Sequence, residues 1–194
     1  QAFLYKYLND KFAHEVKKLD PKLAKAEYWE KELAKYSEKD YAKLLHRLGP
    51  DCAKLERNHT LTYLYSQQNK EEFSKLFDDT LRAIAILNSD IFSVKEDTGD
   101  KIILFDELSQ TINSPAKRDA FCRALVNKLV PFSFEGIFTQ KFDFFATIFE
   151  YLIKDYNKDG GGKYAEYYTP HAIAKIMAAI LVDGPVKNVT CYDP

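Results

Sequence analysis

The sequence predicts a mainly α-helical protein whose C-terminal part opens an α/β sheet, and three observations carry that reading. Apolar residues recur at helical steps of three and four along most of the chain. Three consecutive glycines at 160–162 interrupt that pattern. Beyond them come a sharply periodic helix, a Gly184-Pro185 turn and "KNVTCYDP", the one convincing buried-strand signal in the sequence. The expected organisation is a helical domain over 1–138, then helix, glycine loop, helix, turn and strand over 139–194.

The opening "FLYKYLNDKFAHEVKKL" sets Leu4, Tyr7, Leu8 and Phe12 at helical spacing, with lysines at its end and Asp20-Pro21 to close it. Helical patterns follow at about 22–36 and 39–48, up to the break at Gly49-Pro50. "RNHTLTYLYSQQ" suits either a short strand or a buried helical turn. Asn69 with Glu72 three residues on resembles a capping box, and it opens a helix with Phe73, Leu76, Phe77, Leu81, Ile84 and Leu87 on its buried face. A turn at Thr98-Gly99-Asp100 precedes a shorter element, "KIILFDELSQTI". Ser114-Pro115 then supplies a capping hydroxyl and a proline at the first helical position for the helix that follows.

From Thr139, "TQKFDFFATIFEYLIKDY" is apolar on nearly every side, as a helix buried on several faces would be. After the glycines, Thr169 is placed as N-cap and Pro170 at the first helical position, and Ile173, Ile176, Met177, Ile180 and Leu181 form one stripe. No period of a repeat protein is present.

Composition narrows the function. Hydrophobic residues make up 46% and aromatic residues 14% of the 194 positions, enough for a real core. The formal net charge of −1, with both signs interspersed, sets up no global field for a polyanion, so any nucleic-acid contact must be local or shared with another chain. Cys52, Cys122 and Cys191 lie far apart, which argues against a disulfide framework or a zinc site and points to a reducing cytoplasm. No apolar run reaches the ~18 to 20 residues of a membrane span. The start at Gln1 and the end at "VTCYDP" both read as the interior of a longer protein.

Familiar catalytic patterns do not fit. Gly160, Gly162 and Ala165 satisfy a dinucleotide-binding spacing, but such a loop leaves a strand, whereas this one leaves a helix. Gly162-Lys163 is followed by Tyr164, so the phosphate-binding loop fails as well. His14, His46, His59 and His171 have no metal-ligand spacing, and Asp78-Asp79 reads as a solvated helix face.

The exception is "GGGKYAEYYTPHAIAKIM". Read plainly, it is a flexible linker and a capped helix. A mobile linker, however, would expose the rings of Tyr164, Tyr167 and Tyr168 at a cost. A helix N-terminus with its free amides, walled by aromatic rings, can take a flat or sulfonium-bearing ligand. Asp193, at the end of the expected strand, would stand where ligands of open α/β sheets bind.

The run "FDFFATIFEYLIKDYNKDGGGKYAEYYTPHAIAKIMAAIL", with "VTCYDP" after it and "FLYKYLNDKF" at the start, resembles the modification (M) subunit of type I restriction-modification systems. That resemblance implies a truncated α/β S-adenosylmethionine-dependent methyltransferase domain acting on adenine N6 in DNA. It also implies a helical domain that helps engage DNA, together with partner specificity and restriction subunits. The cofactor residues carried over are Glu166, Tyr167, Tyr168, Thr169, Pro170 and Asp193, with His171 where the family commonly has arginine. The family's Asn-Pro-Pro-Phe/Tyr tetrapeptide is not among these residues, so no catalytic residue is assigned and the 194 residues alone are expected to be inactive. The alternative is a stand-alone helical interaction module.

Overall fold

The computed structural model describes residues 1–89, 94–95, 101–102, 105–138, 148, 151, 169–182, 184, 190 and 192. The chain divides into two compact units, Gln1–Lys141 and Phe142–Pro194. The described residues are mainly helical.

In the first unit, α1 (Ala2–Leu19) runs through the core. Its buried face is Tyr5, Leu8, Phe12 and Val16, one step round from the expected stripe, while Leu4 and Tyr7 lie at its edge. The difference comes from Tyr5, whose hydroxyl donates to the carbonyl of His59 at 2.8 Å and so lets a polar side chain bury completely. Asp20 ends α1 in an extended conformation and also begins α2 (Pro21–Lys25), its carboxylate accepting from the Lys22 amide at 2.8 Å.

The single helix expected over 22–36 is two short ones, α2 and α3 (Trp29–Leu33). Leu23 and Trp29, both buried, are six residues apart and would fall on different faces of one continuous helix. The extended residue at Ala26 lets both reach the core. Next, α4 (Glu38–His46) is capped by Ser37, and the undecided segment becomes a 3₁₀ turn (Arg57–His59) followed by α5 (Leu61–Ser66), capped by Thr60.

The helix α6 (Phe73–Leu87) starts at Phe73, not at the expected Asn69 box. Glu72 sits in the left-handed region at φ 55°, which stops the helix from extending backward. Asp119, from α7 (Pro115–Leu129), caps it instead, its carboxylate accepting from the amides of Phe73 (3.1 Å) and Ser74 (2.9 Å). Pro115 takes the first position of α7 as expected, but the Ser114 hydroxyl makes no capping bond. Between these helices, β1 (Val94–Lys95) pairs antiparallel with β2 (Lys101–Ile102), Val94 opposite Ile102, and a 3₁₀ turn follows at Leu108–Thr111.

Phe73, Phe77, Leu81 and Ile84 of α6 and Cys122, Val126 and Leu129 of α7 complete the core. Residues 131–138, including a 3₁₀ turn at Glu135–Ile137, lie along α1. There Phe132 and Phe134 stack against Phe3 and Tyr7, and Phe138 packs on Tyr7 and His14.

In the second unit, Ile148 and Tyr151 are helical, and α8 spans His171–Leu181. The expected stripe of α8 forms, but it is exposed: Ile173 by 50%, Ile176 by 61%, Ile180 by 77% and Leu181 by 79%. The expected strand and the glycine loop lie outside the described residues, apart from Thr190 and Tyr192.

Candidate functional site

Of the seven residues singled out as a cofactor site, Glu166, Tyr167, Tyr168 and Asp193 lie outside the described residues. Thr169 and Pro170 are exposed immediately before α8. Pro170, rather than Thr169, occupies the N-cap position at φ −54° and ψ 138°, and its carbonyl accepts from the amides of Ile173 (2.9 Å) and Ala174 (3.1 Å). Helix geometry leaves the amides of His171 and Ala172 without intrahelical partners, and among the described residues no side chain caps them and no acidic residue lies in the first turn. The positive end of a helix favours a polar or anionic group.

Among the described residues of the first unit, three clefts stand out. One, about 260 Å³, lies between α1, Trp29 and the 130–135 segment. Its wall carries a buried ion pair, Lys6 Nζ to Asp10 Oδ1 at 2.9 Å. Asp10 also accepts from Asn9 Nδ2 (3.1 Å) and the Phe134 amide (2.9 Å), so both of its oxygens help to hold the fold.

A second cleft, about 700 Å³, runs between α6 and α7 and is rich in carboxylates. There Asp78, expected on a solvated face with Asp79, is instead buried and accepts from the amide (3.1 Å) and hydroxyl (2.6 Å) of Ser109. Hydrogen bonds from Ser74 and Phe73, with the Arg123 charge, hold the Asp119 carboxyl below its ordinary range.

The third cleft, about 490 Å³, is formed by the α1–α2 junction, α3 and α4. Lys22, Lys35, Lys43 and Arg47 line it together with Asp20, Glu32 and Asp40. Tyr36 donates its hydroxyl to Asp20, which lowers the Asp20 pKa; burial and that carboxylate push Tyr36 up to about 12, so it remains a donor. The sequence reading missed this cleft, because its residues come from four elements with no shared motif.

Among the described residues no group of three metal-ligating side chains gathers, and no helix is long and apolar enough to cross a membrane. Cys52 and Cys122 are free and buried, with their thiols pushed up to about 12, chiefly by burial.

Residues 140–194 match the N-6 DNA methylase family. The match takes in the glycine run, the Tyr-Tyr-Thr-Pro segment, α8 and the expected strand, and it supports a relationship to the DNA adenine-N6 methyltransferases, which use S-adenosylmethionine. It covers less than a third of the chain and leaves the helical unit outside. No curated protein and no solved structure matches the chain.

Proposed function

We propose that this chain is part of the modification subunit of a type I restriction-modification system and carries the helical domain and the first half of the cofactor pocket of an adenine-N6 DNA methyltransferase. The observation that carries the reading is the N-6 DNA methylase match at 140–194, which coincides with the stretch whose glycines, tyrosines and helix start suit a small-molecule site. The start of α8, exposed at Thr169 and Pro170 and without a side-chain cap among the described residues, suits such a ligand. Tyr167 and Tyr168 would wall the cofactor, Glu166 and Asp193 would hold its polar groups, and Thr169, Pro170 and His171 would form the floor at the helix start.

S-adenosylmethionine supplies a methyl group on a positively charged sulfur. The tyrosine rings would stabilise that charge through their faces. The acceptor would be an adenine turned out of the duplex. DNA, a specificity subunit and a restriction subunit are the partners this reading requires, and the cytoplasm is its compartment. Because the Asn-Pro-Pro-Phe/Tyr tetrapeptide is absent from these residues, the 194-residue chain is expected to transfer no methyl group by itself.

The test is calorimetry with S-adenosylmethionine on an enzyme that joins these residues to the tetrapeptide half of the fold. Tyr167→Ala with Tyr168→Ala should weaken binding at least ~10-fold, on the scale of removing two cation–ring interactions; unchanged affinity would remove the tyrosines from the pocket.

A second reading, a helical interaction module, draws on the exposed apolar stripe of α8. In that case the stripe variants Ile176→Ser and Ile180→Ser would abolish partner binding without affecting the cofactor.

A further inference from the structure

His14 lies on α1 with its side chain 12% exposed. Its Nε2 is buried and has no hydrogen-bond partner among the described residues. The imidazole rests against the Phe138 ring, 5.3 Å between centroids, and Phe138 packs in turn on Tyr7 at 5.4 Å. Phe138 closes the 131–138 segment, shortly before Phe142, where the second unit begins. The two ends of this segment are held differently. Phe134 is anchored by its amide's bond to Asp10 (2.9 Å), whereas the 135–138 end is held on α1 by ring contacts and by long contacts of Glu135 with His14 and Lys17.

A neutral imidazole suits this place and a charged one does not. Glu135 Oε1 is 4.0 Å from Nδ1, beyond hydrogen-bond reach, and it is exposed and shared with Lys17 at 3.9 Å, so it attracts an imidazolium only weakly. From α1, Lys11 and Lys18 repel a positive ring, and Glu15, the acid beside them, is already paired with both, at 3.4 and 3.1 Å. Lys11 also reaches Asp51 at 3.3 Å and lies over the Phe138 ring. Protonation would add a second N–H to a ring whose buried Nε2 faces no acceptor, and a charge where burial excludes water. Burial, with the charge of Lys18, accordingly holds the His14 pKa below its ordinary range.

We propose that His14 is a pH-sensitive latch: neutral, it keeps the 135–138 end of this segment packed on α1, and protonation releases that end. When the end lifts, the ring meets water and takes a proton at its ordinary value near 6.5. The proton therefore binds the lifted form more tightly, so packing is at full strength above that value and weakens as pH falls below it. The Asp10 anchor at Phe134 confines the release to residues 135–138. The latch stands apart from the methyltransferase reading, and it sits on the last part of the helical unit before the chain enters the second.

The test follows amide exchange of residues 135–138 by mass spectrometry in the 194-residue chain, between about pH 7.5 and about pH 5, corrected for the intrinsic pH dependence of exchange. Wild type should exchange this stretch several-fold faster at the lower pH, up to a ceiling of about 30-fold set by the distance below the ordinary histidine value. His14→Phe keeps a ring against Phe138 and cannot charge, so its step should vanish. No step in wild type, or the same step in both proteins, would overturn the proposal, the second by assigning the step to another group such as His59. A further measurement decides the matter even if His14→Phe does not fold. Histidine-ring NMR should place the His14 titration below about 6.5 in wild type and move it upward in Phe138→Ala, which uncovers the ring. A titration unchanged by Phe138→Ala would overturn the latch.

Discussion

Asp10→Ala is the perturbation that most severely tests how the helical unit holds together. Asp10 is 8% exposed, forms an ion pair with the Lys6 ammonium at 2.9 Å and accepts hydrogen bonds from Asn9 Nδ2 at 3.1 Å and the Phe134 amide at 2.9 Å. Removing the carboxylate leaves a lysine whose side chain is 7% exposed without a counter-ion, apart from the Phe132 ring 5.4 Å from its nitrogen. It also removes the acceptor of the buried Phe134 amide. Breaking a buried ion pair from one side costs about 3 to 5 kcal/mol, a range that includes part of the amide penalty.

A unit of this size has a stability of roughly 7 to 20 kcal/mol, so the loss is a large share of it. The expected fall in Tm is about 10 to 15 °C. Urea unfolding followed by circular dichroism measures it, with an unchanged m-value showing that the same surface unfolds. Lys6→Met/Asp10→Asn separates charge from packing, since the asparagine oxygen can still accept from Phe134 and the buried ammonium is gone. This double variant should lie at least ~2 kcal/mol above Asp10→Ala. A loss below ~1 kcal/mol for Asp10→Ala would refute the reasoning, because it would mean that the Lys6 charge reaches water despite its burial.

Other outcomes follow from the same interactions. Glu72→Gly places a glycine at φ 55° on an exposed turn and should raise stability by about 0.5 to 1 kcal/mol, read as a higher urea midpoint. Asp119→Asn weakens the cap of α6 and should cost about 1 to 2 kcal/mol at neutral pH. Because the folded Asp119 pKa is lowered, chiefly by the Ser74 hydroxyl, its contribution is full above the unfolded value near 4 and is lost as pH falls through the folded value. The gap between Asp119→Asn and wild type should therefore narrow below about pH 4, measured by urea unfolding across pH.

Local signals in the sequence located most helices. Periodicity and the breakers Asp20-Pro21, Gly49-Pro50 and Ser114-Pro115 mark α1, α4 and α7, because these choices depend on residues within a few positions. What could not be read locally was carried by distant partners. The start of α6 looked like an Asn69 box, but Asp119, 46 residues from Phe73, supplies the cap, and no local pattern announces it. Asp78 looked solvated beside Asp79 until Ser109 covered it. The helix expected over 22–36 was broken by the need to bury both Leu23 and Trp29.

At the candidate site the stripe of α8 was legible as a helix, while its exposure was not, since periodicity says which face is apolar and not what covers it. The tyrosine, glycine and Thr-Pro stretch stands out by its composition and lies within the 140–194 family match, and of it only Thr169 and Pro170 are among the described residues. The cleft between the α1–α2 junction, α3 and α4 drew no attention in the sequence, because its charged residues come from separate elements.

The most direct test of the account is methyl transfer itself. An enzyme carrying these residues together with the Asn-Pro-Pro-Phe/Tyr half is incubated with methyl-labelled S-adenosylmethionine, its specificity subunit and duplex DNA, and the digested nucleosides are analysed by mass spectrometry. The account predicts label on the N6 of adenine and none from the 194-residue chain alone; label on another base or on protein, or transfer by the chain alone, would contradict it.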